Sequence, residues 1–144
     1  MGWVSPTGHT EGDWTNEANA YDGSLTTAAT YTEIPGTWTP FLEFTLTDMI
    51  KCDSVRFFVN SGFPLGFEVD IDVYYGSAWH DVFEGVVSVM VWVEKDIPDE
   101  TQDVSKVRIR TRHGSSIHTD YVYEVELYET ELAIGSLVDK GLVT

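Results

Sequence analysis

The chain of 144 residues has little cysteine and little positive charge. It contains a single cysteine, Cys52, so no disulfide can form within the chain. Only 8 Lys and Arg residues stand against 24 Asp and Glu residues, which gives a formal net charge of −16. A molecule with this charge repels phosphate groups, so we expect neither nucleic acid nor an anionic membrane surface as a partner.

Long apolar runs are missing as well. No stretch of about 18 apolar residues occurs, so the sequence predicts no membrane insertion. Residues 1–6 lack a basic segment followed by an apolar core, so they do not resemble a signal peptide. The hydrophobic fraction of 42%, with 5 Trp, 7 Tyr and 7 Phe, excludes a disordered acidic chain and indicates one folded domain.

Local catalytic motifs are also absent from the sequence. It contains no G-x-S-x-G, no phosphate-binding loop and no H-E-x-x-H. Cys52 has a neighbouring cation in Lys51, but no local signature makes it a nucleophile, so we interpret it as an ordinary cysteine. We therefore predict that the protein is not an enzyme.

Apolar and polar residues alternate with period two along most of the chain. This pattern predicts antiparallel strands with one buried and one solvated face, and no ten-residue segment has a helical stripe. Residues 86–93 are apolar on both faces and predict a more buried strand. With turn signals between about eight strands, the sequence predicts an all-β antiparallel β-sandwich of the jelly-roll type. The alternating runs are 42–46, 55–59, 67–75, 107–111 and 121–128, the last with Tyr121, Tyr123, Val125 and Leu127 on one face.

Two of these runs carry opposite charges on one face. If the two strands were neighbours, their charges could pair across the sheet, and each pair would contribute roughly 0.2–1 kcal/mol. If they were apart, each face would be solvated separately, and the sequence leaves both possibilities open. The acidic face contains Glu68, Asp70 and Asp72, and the basic face contains Arg108, Arg110 and Arg112.

The two ends of the chain differ from its middle. We predict an irregular N-terminal arm at 1–16, the β-sandwich at 17–130 and a C-terminal tail at 131–144. The tail is either an arm that docks on a neighbouring subunit or a segment that folds back on its own domain or is partly disordered. Its apolar residues are Leu132, Ile134, Leu137, Val138, Leu142 and Val143.

Two short motifs resemble a known family. Residues 20–27 have the pattern Ala-x-Asp-Gly-x-x-x-Thr, and residues 124–128 have the pattern Glu-x-Glu-x-Tyr. Together they resemble the galactose-binding-like family, which includes discoidin (coagulation factor type C) domains and family 32 carbohydrate-binding modules. Segments 38–44, 69–79 and 107–110 resemble its middle strands in the same order.

The resemblance implies a structural calcium ion that joins the N-terminal loop to the last strand. The loop 19–27 combines a carboxylate, hydroxyls and a tight Asp-Gly turn, which suits the oxygen ligands that calcium prefers. Glu126 is an alternative to Glu124, and the other interpretation is a plain turn beside a solvated glutamate. The implied ligands are the side chains of Asp22, Thr27 and Glu124 and mostly backbone oxygens of Asn19, Ser24 and Tyr123.

The resemblance also implies a sugar site on loops at one end of the sandwich. Such a site needs an aromatic platform and a few hydrogen-bonding side chains. In the alternative interpretation, Phe63 packs over the edge of the sandwich and the histidines are solvated loop residues. The candidate ligand-binding residues are Asn60, Phe63, Arg112, His113 and His118.

We interpret the chain as a non-enzymatic binding or assembly module, and two hypotheses follow. A surface-type domain without a leader predicts a phage or virus structural protein of the capsid-decoration or tail-fibre type. Located on the virion surface, it would contact other structural subunits, further copies of itself, or a cell-surface glycan. The second hypothesis is a carbohydrate-binding module of a secreted or cell-surface glycan-degrading system, which would be extracellular.

Overall fold

The computed structural model describes residues 2–33, 36–112 and 117–131. Nine strands and one short 3₁₀ helix, Glu17–Tyr21, form this part of the chain. The strands are β1 (Gly2–Val4), β2 (Gly8–His9), β3 (Ala29–Glu33), β4 (Leu42–Ser61), β5 (Glu68–Tyr75), β6 (Ala78–Val86), β7 (Trp92–Asp96), β8 (Gln102–Arg112) and β9 (His118–Glu131).

The long strand β4 organises the sheet. Its first half pairs with β8 and β2, and its second half pairs with β9 and β7. A register shift between Thr45 and Ile50 separates the two halves. The order is β1-β9-β4-β8-β5-β6, with β3 on β9, and all pairings between these described strands are antiparallel. The sheet thus folds over at β4 into two layers, and the predicted all-β antiparallel sandwich is confirmed.

The core lies between these layers and follows the predicted alternation. Phe57 and Val59 of β4, Ile71 of β5 and Ile109 of β8 are completely buried. Period-two alternation turns every second side chain of each strand toward the same side, so these residues meet in one cluster. Burial of such side chains supplies most of the free energy that favours folding.

The oppositely charged strand faces pair in register. β5 and β8 are neighbours, and Glu68, Asp70 and Asp72 lie opposite Arg112, Arg110 and Arg108 respectively. Each arginine Nε donates to its partner's carboxylate, over 2.9, 2.8 and 2.8 Å. Of the two possibilities that the sequence left open, cross-strand pairing is the one confirmed.

Aromatic side chains cover this charge ladder, so it is not a solvated face. The Arg108 guanidinium lies 4.0 Å from the Phe41 ring centroid and 4.2 Å from that of Trp79. Arg112 lies 4.3 Å from the Trp38 ring. Asp70 is consequently only 3% exposed. Cation–π stacking and desolvation make such pairs stronger than exposed ion pairs.

The apolar segment 86–93 is not the buried strand that the sequence predicted. β6 ends at Val86, which is 64% exposed, and β7 begins only at Trp92. The segment between them crosses from one layer to the other. The Val87 amide donates to the Phe67 carbonyl over 3.0 Å, and the Met90 amide donates to the Val59 carbonyl over 2.8 Å. A run of apolar residues without alternation is compatible with a buried strand or with a connection between layers, so the sequence pattern did not distinguish the two.

A β-bulge in β9 reverses which side chains in the first half of the strand face the core, compared with the prediction. Phe58 lies opposite Glu124 but Val59 lies opposite Val122, so Tyr123 is an extra residue in β9. The buried face therefore changes at the bulge, and Val122 is buried together with Val125 and Leu127. The prediction that Tyr121 and Tyr123 share the core face was wrong, because the bulge shifts the alternation by one residue. Their rings stack on each other, with centroids 6.2 Å apart.

The described part of the N-terminal arm belongs to the sheet. β1 pairs with β9, and β2 pairs with the first half of β4, so the segment predicted as irregular adds two short strands. Glu131 ends β9, and the remainder of the predicted tail, 132–144, lies outside the described residues. Within the described ranges, no helix is long and apolar enough to cross a membrane.

Candidate functional site

The turn after β4 and the start of β9 meet at one end of the sandwich. Asn60 lies opposite Tyr121, and the Gly62 amide donates to the Thr119 carbonyl over 2.9 Å. A Cβ atom added to Gly62 would lie 3.3 Å from the Cβ of His118. This close approach favours glycine and brings Asn60 and Phe63 toward the first residue of β9.

Local hydrogen bonds hold Asn60 and Phe63 on this turn. The Asn60 Oδ1 accepts a bond from the Ser61 amide over 2.8 Å, so its amide nitrogen is the group that can donate to a ligand. The Phe63 amide donates to the Ser61 hydroxyl over 3.2 Å. Phe63 itself is half-buried. The turn therefore presents a partly exposed ring beside a hydrogen-bonding amide.

Arg112 occupies the last position of β8. Its Nε donates to Glu68 over 2.9 Å, and its guanidinium stacks on Trp38. The hydrogen bond that Arg112 donates to the Glu68 carboxylate raises the pKa of Arg112. The side chain remains about one third exposed, at 33%. Arg112 is therefore a fixed donor whose charge Glu68 balances.

His118 lies behind the rim. Its side chain is 6% exposed, and its Nε2 lies 3.0 Å from Oδ1 of the completely buried Asp120. Thr111 donates its hydroxyl to the other Asp120 oxygen over 2.5 Å, and the Thr111 amide donates to the Thr39 hydroxyl over 3.0 Å. His118 is thus part of a buried polar network that joins β8 to β9, and it is not a solvated loop residue.

The structure thus places Asn60, Phe63 and Arg112 on strand ends and turns at the rim, with His118 beneath it. His113 lies outside the described residues. Sequence reasoning did not single out two exposed apolar side chains that flank this region, Leu65 at 79% and Ile117 at 72%. Exposed single apolar residues are common, so only their position beside the turn makes them notable.

The predicted calcium loop is preorganised around Asp22. The Thr27 hydroxyl donates to Asp22 Oδ2, and the Ser24 amide donates to Oδ1 over 2.9 Å. Desolvation acts to raise the pKa of Asp22, but these hydrogen bonds outweigh it and lower that pKa. Asp22 is therefore an ionised carboxylate at neutral pH.

Glu124 meets this loop from β9. The Gly23 amide donates to Glu124 Oε1 over 3.0 Å, across 101 residues of sequence. Burial, with a further contribution from the charge of Asp22, raises the pKa of Glu124 to about 7. Glu124 is 1% exposed, and its Oε2 has no hydrogen-bond partner among the described residues. A buried carboxylate oxygen without a donor is a group that a cation would satisfy.

The structure distinguishes Glu124 from Glu126, the alternative calcium ligand. Glu126 accepts a bond from the Arg56 Nε over 2.7 Å on the outer face of the sheet, so Arg56 already neutralises it. The side-chain Nδ2 of Asn19 donates to the Ala28 carbonyl over 3.3 Å, which connects the start of the loop to its end. Tyr123, the extra residue of the bulge, packs its ring edge-on against Phe58.

Cys52 carries no chemistry in this arrangement. It is completely buried, and its thiol donates to the Ser54 carbonyl over 3.2 Å. Burial raises the pKa of this thiol to about 12, and a protonated thiol is a poor nucleophile. The interpretation of Cys52 as an ordinary cysteine agrees with this buried environment.

Comparison with known proteins adds the fold family. No protein-family model matches the sequence, and no curated protein is similar to it in sequence. Among solved structures, the family 32 module of AlyQ in complex with 4,5-unsaturated mannuronic acid aligns with a TM-score of 0.65 at 14% identity, covering 88% of this chain and 98% of that chain. The chain has the galactose-binding-like fold.

Further similar structures are also carbohydrate-binding modules. The family 32 module of Clostridium perfringens NanJ in complex with galactose has a TM-score of 0.62 at 19% identity, covering 88% of this chain and 93% of that chain. A chitosan-binding module of a Paenibacillus sp. IK-5 chitosanase/glucanase has a TM-score of 0.56 at 16% identity, covering 88% and 91%. At these identities the likeness establishes the galactose-binding-like fold alone.

Proposed function

We propose that this chain is a non-catalytic carbohydrate-binding module of an extracellular glycan-degrading system. The observation that carries the proposal is that the turn with Asn60 and Phe63 contacts the start of β9, and that β9 is joined by Asp120 to Thr111, next to Arg112, at one end of a galactose-binding-like sandwich. Sugar recognition needs an apolar ring and a few fixed polar groups, and this end supplies both. The phage or virus hypothesis stays a prediction, since the AlyQ, NanJ and Paenibacillus structures are carbohydrate-binding modules and do not support it.

The charge of the molecule favours neutral or amino sugars over polyanionic glycans. The net charge of −16 repels uronate polymers at long range. At short range, Glu68 already balances the charge of Arg112, so the guanidinium can act as a hydrogen-bond donor without adding net positive charge to the rim. We therefore expect a sugar hydroxyl, which can accept a hydrogen bond, near Arg112, with the sugar ring against Phe63.

A glycan array followed by calorimetry tests this proposal. We expect a neutral or amino glycan to bind, and Phe63→Ala and Arg112→Gln each to weaken its binding by about tenfold or more, which corresponds to about 1.4 kcal/mol. Met49→Ala is the matched control. Met49 is 66% exposed in the bend of β4, outside the rim, so its loss should leave affinity unchanged.

Three outcomes would contradict the carbohydrate proposal or its glycan class. Absence of binding to every glycan on the array would overturn the proposed function. Wild-type affinity in both rim variants would place the binding surface elsewhere. A preference for alginate or another uronate polymer would refute the argument from charge.

We also propose that calcium joins the loop at Asp22 to β9. Asp22 and Glu124 supply carboxylates, Thr27 supplies a hydroxyl, and Asn19, Ser24 and Tyr123 supply mostly backbone oxygens. The Oε2 atom of Glu124 is buried and has no hydrogen-bond partner among the described residues. This supports the proposed set of ligands, because Ca²⁺ prefers oxygen ligands in an acidic site. The ion would stabilise the fold by connecting two segments that are distant in the sequence.

Thermal melting with calcium or with chelator tests the metal. We expect calcium to raise the melting temperature of the wild type, because a ligand that binds only the folded state stabilises it. Asp22→Ala should abolish this increase. An equal increase in the variant, or no increase in the wild type, would disprove the site.

A further inference from the structure

A second group of metal-ligand side chains lies in the N-terminal segment. His9, Glu11 and Glu17 each offer one ligand atom, and these three atoms lie within 4.8 Å of one another. His9 ends β2, Glu11 follows it in the next loop, and Glu17 begins the 3₁₀ helix. Neither the sugar rim nor the calcium loop includes any of them.

Glu17 is the member that indicates a missing ligand. It is only 6% exposed, and its Oε1 accepts a bond from the Gly12 amide over 3.0 Å. Its Oε2 is buried and has no hydrogen-bond partner among the described residues. A buried carboxylate oxygen without a donor is costly, so a bound cation would lower the free energy of this site.

The histidine is oriented for a metal. The Nδ1 of His9 lies 2.8 Å from the Tyr21 hydroxyl, and its Nε2 lies 3.3 Å from Glu11 Oε1. If Nδ1–H donates to Tyr21, Nε2 carries the lone pair that binds a metal, as in sites where an outer partner fixes the imidazole tautomer. The spacing of 3.3 Å from Nε2 to Oε1 is close to the roughly 3.4 Å between neighbouring ligands of a tetrahedral ion with bonds near 2.1 Å.

We propose that His9 Nε2, Glu11 and Glu17 bind a divalent transition-metal ion of the zinc class. One imidazole and two carboxylates suit zinc, whereas calcium takes oxygen ligands. Without a metal, a protonated His9 could donate to Glu11, but Glu17 Oε2 would still have no hydrogen-bond partner among the described residues. The ion would hold the N-terminal segment against the 3₁₀ helix, and water would complete its coordination.

Metal titration of the tag-free protein tests this site. Calcium is kept saturating throughout, so that the proposed calcium loop does not contribute. We expect one equivalent of Zn²⁺ to bind by calorimetry, and Co²⁺ to bind with visible absorption of a low-coordinate site. Added Zn²⁺ should raise the melting temperature of the wild type.

Conservative variants identify the ligands. We expect His9→Asn and Glu17→Gln to weaken Zn²⁺ binding by about 100-fold or more, since each removes a direct ligand. His9→Asn keeps a polar atom toward Tyr21, and Glu17→Gln keeps an acceptor for the Gly12 amide. Glu11→Gln should weaken binding by about tenfold; its side chain is 92% exposed, so this variant folds regardless of its effect on the metal.

His80→Asn is the matched control. His80 stacks on Tyr75 with ring centroids 3.7 Å apart, away from the cluster, so its loss should not change Zn²⁺ affinity. Absence of Zn²⁺ binding in the tag-free wild type would overturn the proposal. So would wild-type affinity in Glu11→Gln together with Glu17→Gln, or loss of binding in His80→Asn.

Discussion

Buried carboxylates in two regions of this molecule are neutralised in different ways. On β5, Asp70 and Asp72 are buried, and each accepts a bond from an arginine of β8 over 2.8 Å. Near the Asp22 loop and the N-terminal segment, Glu17 and Glu124 are buried as well, but each accepts its bond from a neutral backbone amide. One buried oxygen without a hydrogen-bond partner among the described residues occurs in both regions, on Asp70 as well as on Glu17 and Glu124, so the difference lies in the charge of the donor.

In the first region the positive charge that balances the carboxylates comes from arginines of the protein itself. In the second region we propose that it comes from bound metal ions. Across the sheet, an equal number of arginines balances the acids, and aromatic rings exclude water from the pairs. Asp81 is one acid more than these three arginines balance. Burial and its contacts with Asp70 and Asp72 raise the pKa of Asp81 to about 7. Within the described part of the chain, no arginine donates a hydrogen bond to Glu17 or Glu124, so we propose that metal ions balance their charge.

Removal of one arginine from the ladder should have the largest effect. Arg110→Met leaves Asp70 buried without its partner, which we expect to lower the free energy of unfolding by about 3–5 kcal/mol. Urea denaturation measures the change. The double variant with Asp70→Asn should recover most of the loss, because it removes the uncompensated charge.

The exposed pair Lys51–Asp103 is the control for that variant. Its atoms lie 3.0 Å apart, with both side chains about half exposed, at 48% and 57%. Lys51→Met should therefore cost less than about 1 kcal/mol. Equal losses for Arg110→Met and Lys51→Met would show that the aromatic cover does not strengthen the ladder.

Glu124 should produce the next largest effect, as a dependence of stability on pH. Its pKa is about 7 in the folded protein, above the ordinary 4.5, so the folded state holds the proton more tightly than the unfolded state. This stabilising contribution is complete below pH 4.5 and is lost as the pH rises through 7. In chelator, we expect wild type to lose up to about 3 kcal/mol across this window relative to Glu124→Gln.

Calcium should reverse that dependence. Bound calcium favours the ionised carboxylate, so at pH 8 it should stabilise the wild type and not Glu124→Gln. Urea denaturation at pH 5 and pH 8, with calcium or with chelator, measures both effects. Parallel pH profiles for wild type and Glu124→Gln in chelator would contradict the role of this side chain.

The sequence predicted the parts of the fold that depend on alternation. Period two placed Ile71 and Ile109 in the core, and the same pattern placed Asp70 and Arg110 on the opposite faces of their strands. It failed where a backbone irregularity breaks the period. The bulge at Tyr123 leaves no mark in the sequence, yet it exchanges the faces of β9 around Glu124.

The candidate sites were predictable to different degrees. The calcium ligands and the rim residues were named from a resemblance, and the structure brings Asp22 together with Glu124 and Asn60 close to the start of β9. The cluster of His9, Glu11 and Glu17 had no sequence signal. Its spacing matches no metal motif, because a strand, a loop and a 3₁₀ helix deliver one ligand each.

The sequence by itself determined the class of the fold, the opposite charges on one face of each of two strands and the general acidity of the chain, because these follow from the local order of side chains. Only the tertiary structure decided which strands are neighbours, which carboxylates are buried and which lack a donor. Those properties depend on contacts across long sequence separations, such as the 101 residues between Gly23 and Glu124, and a linear pattern does not contain them.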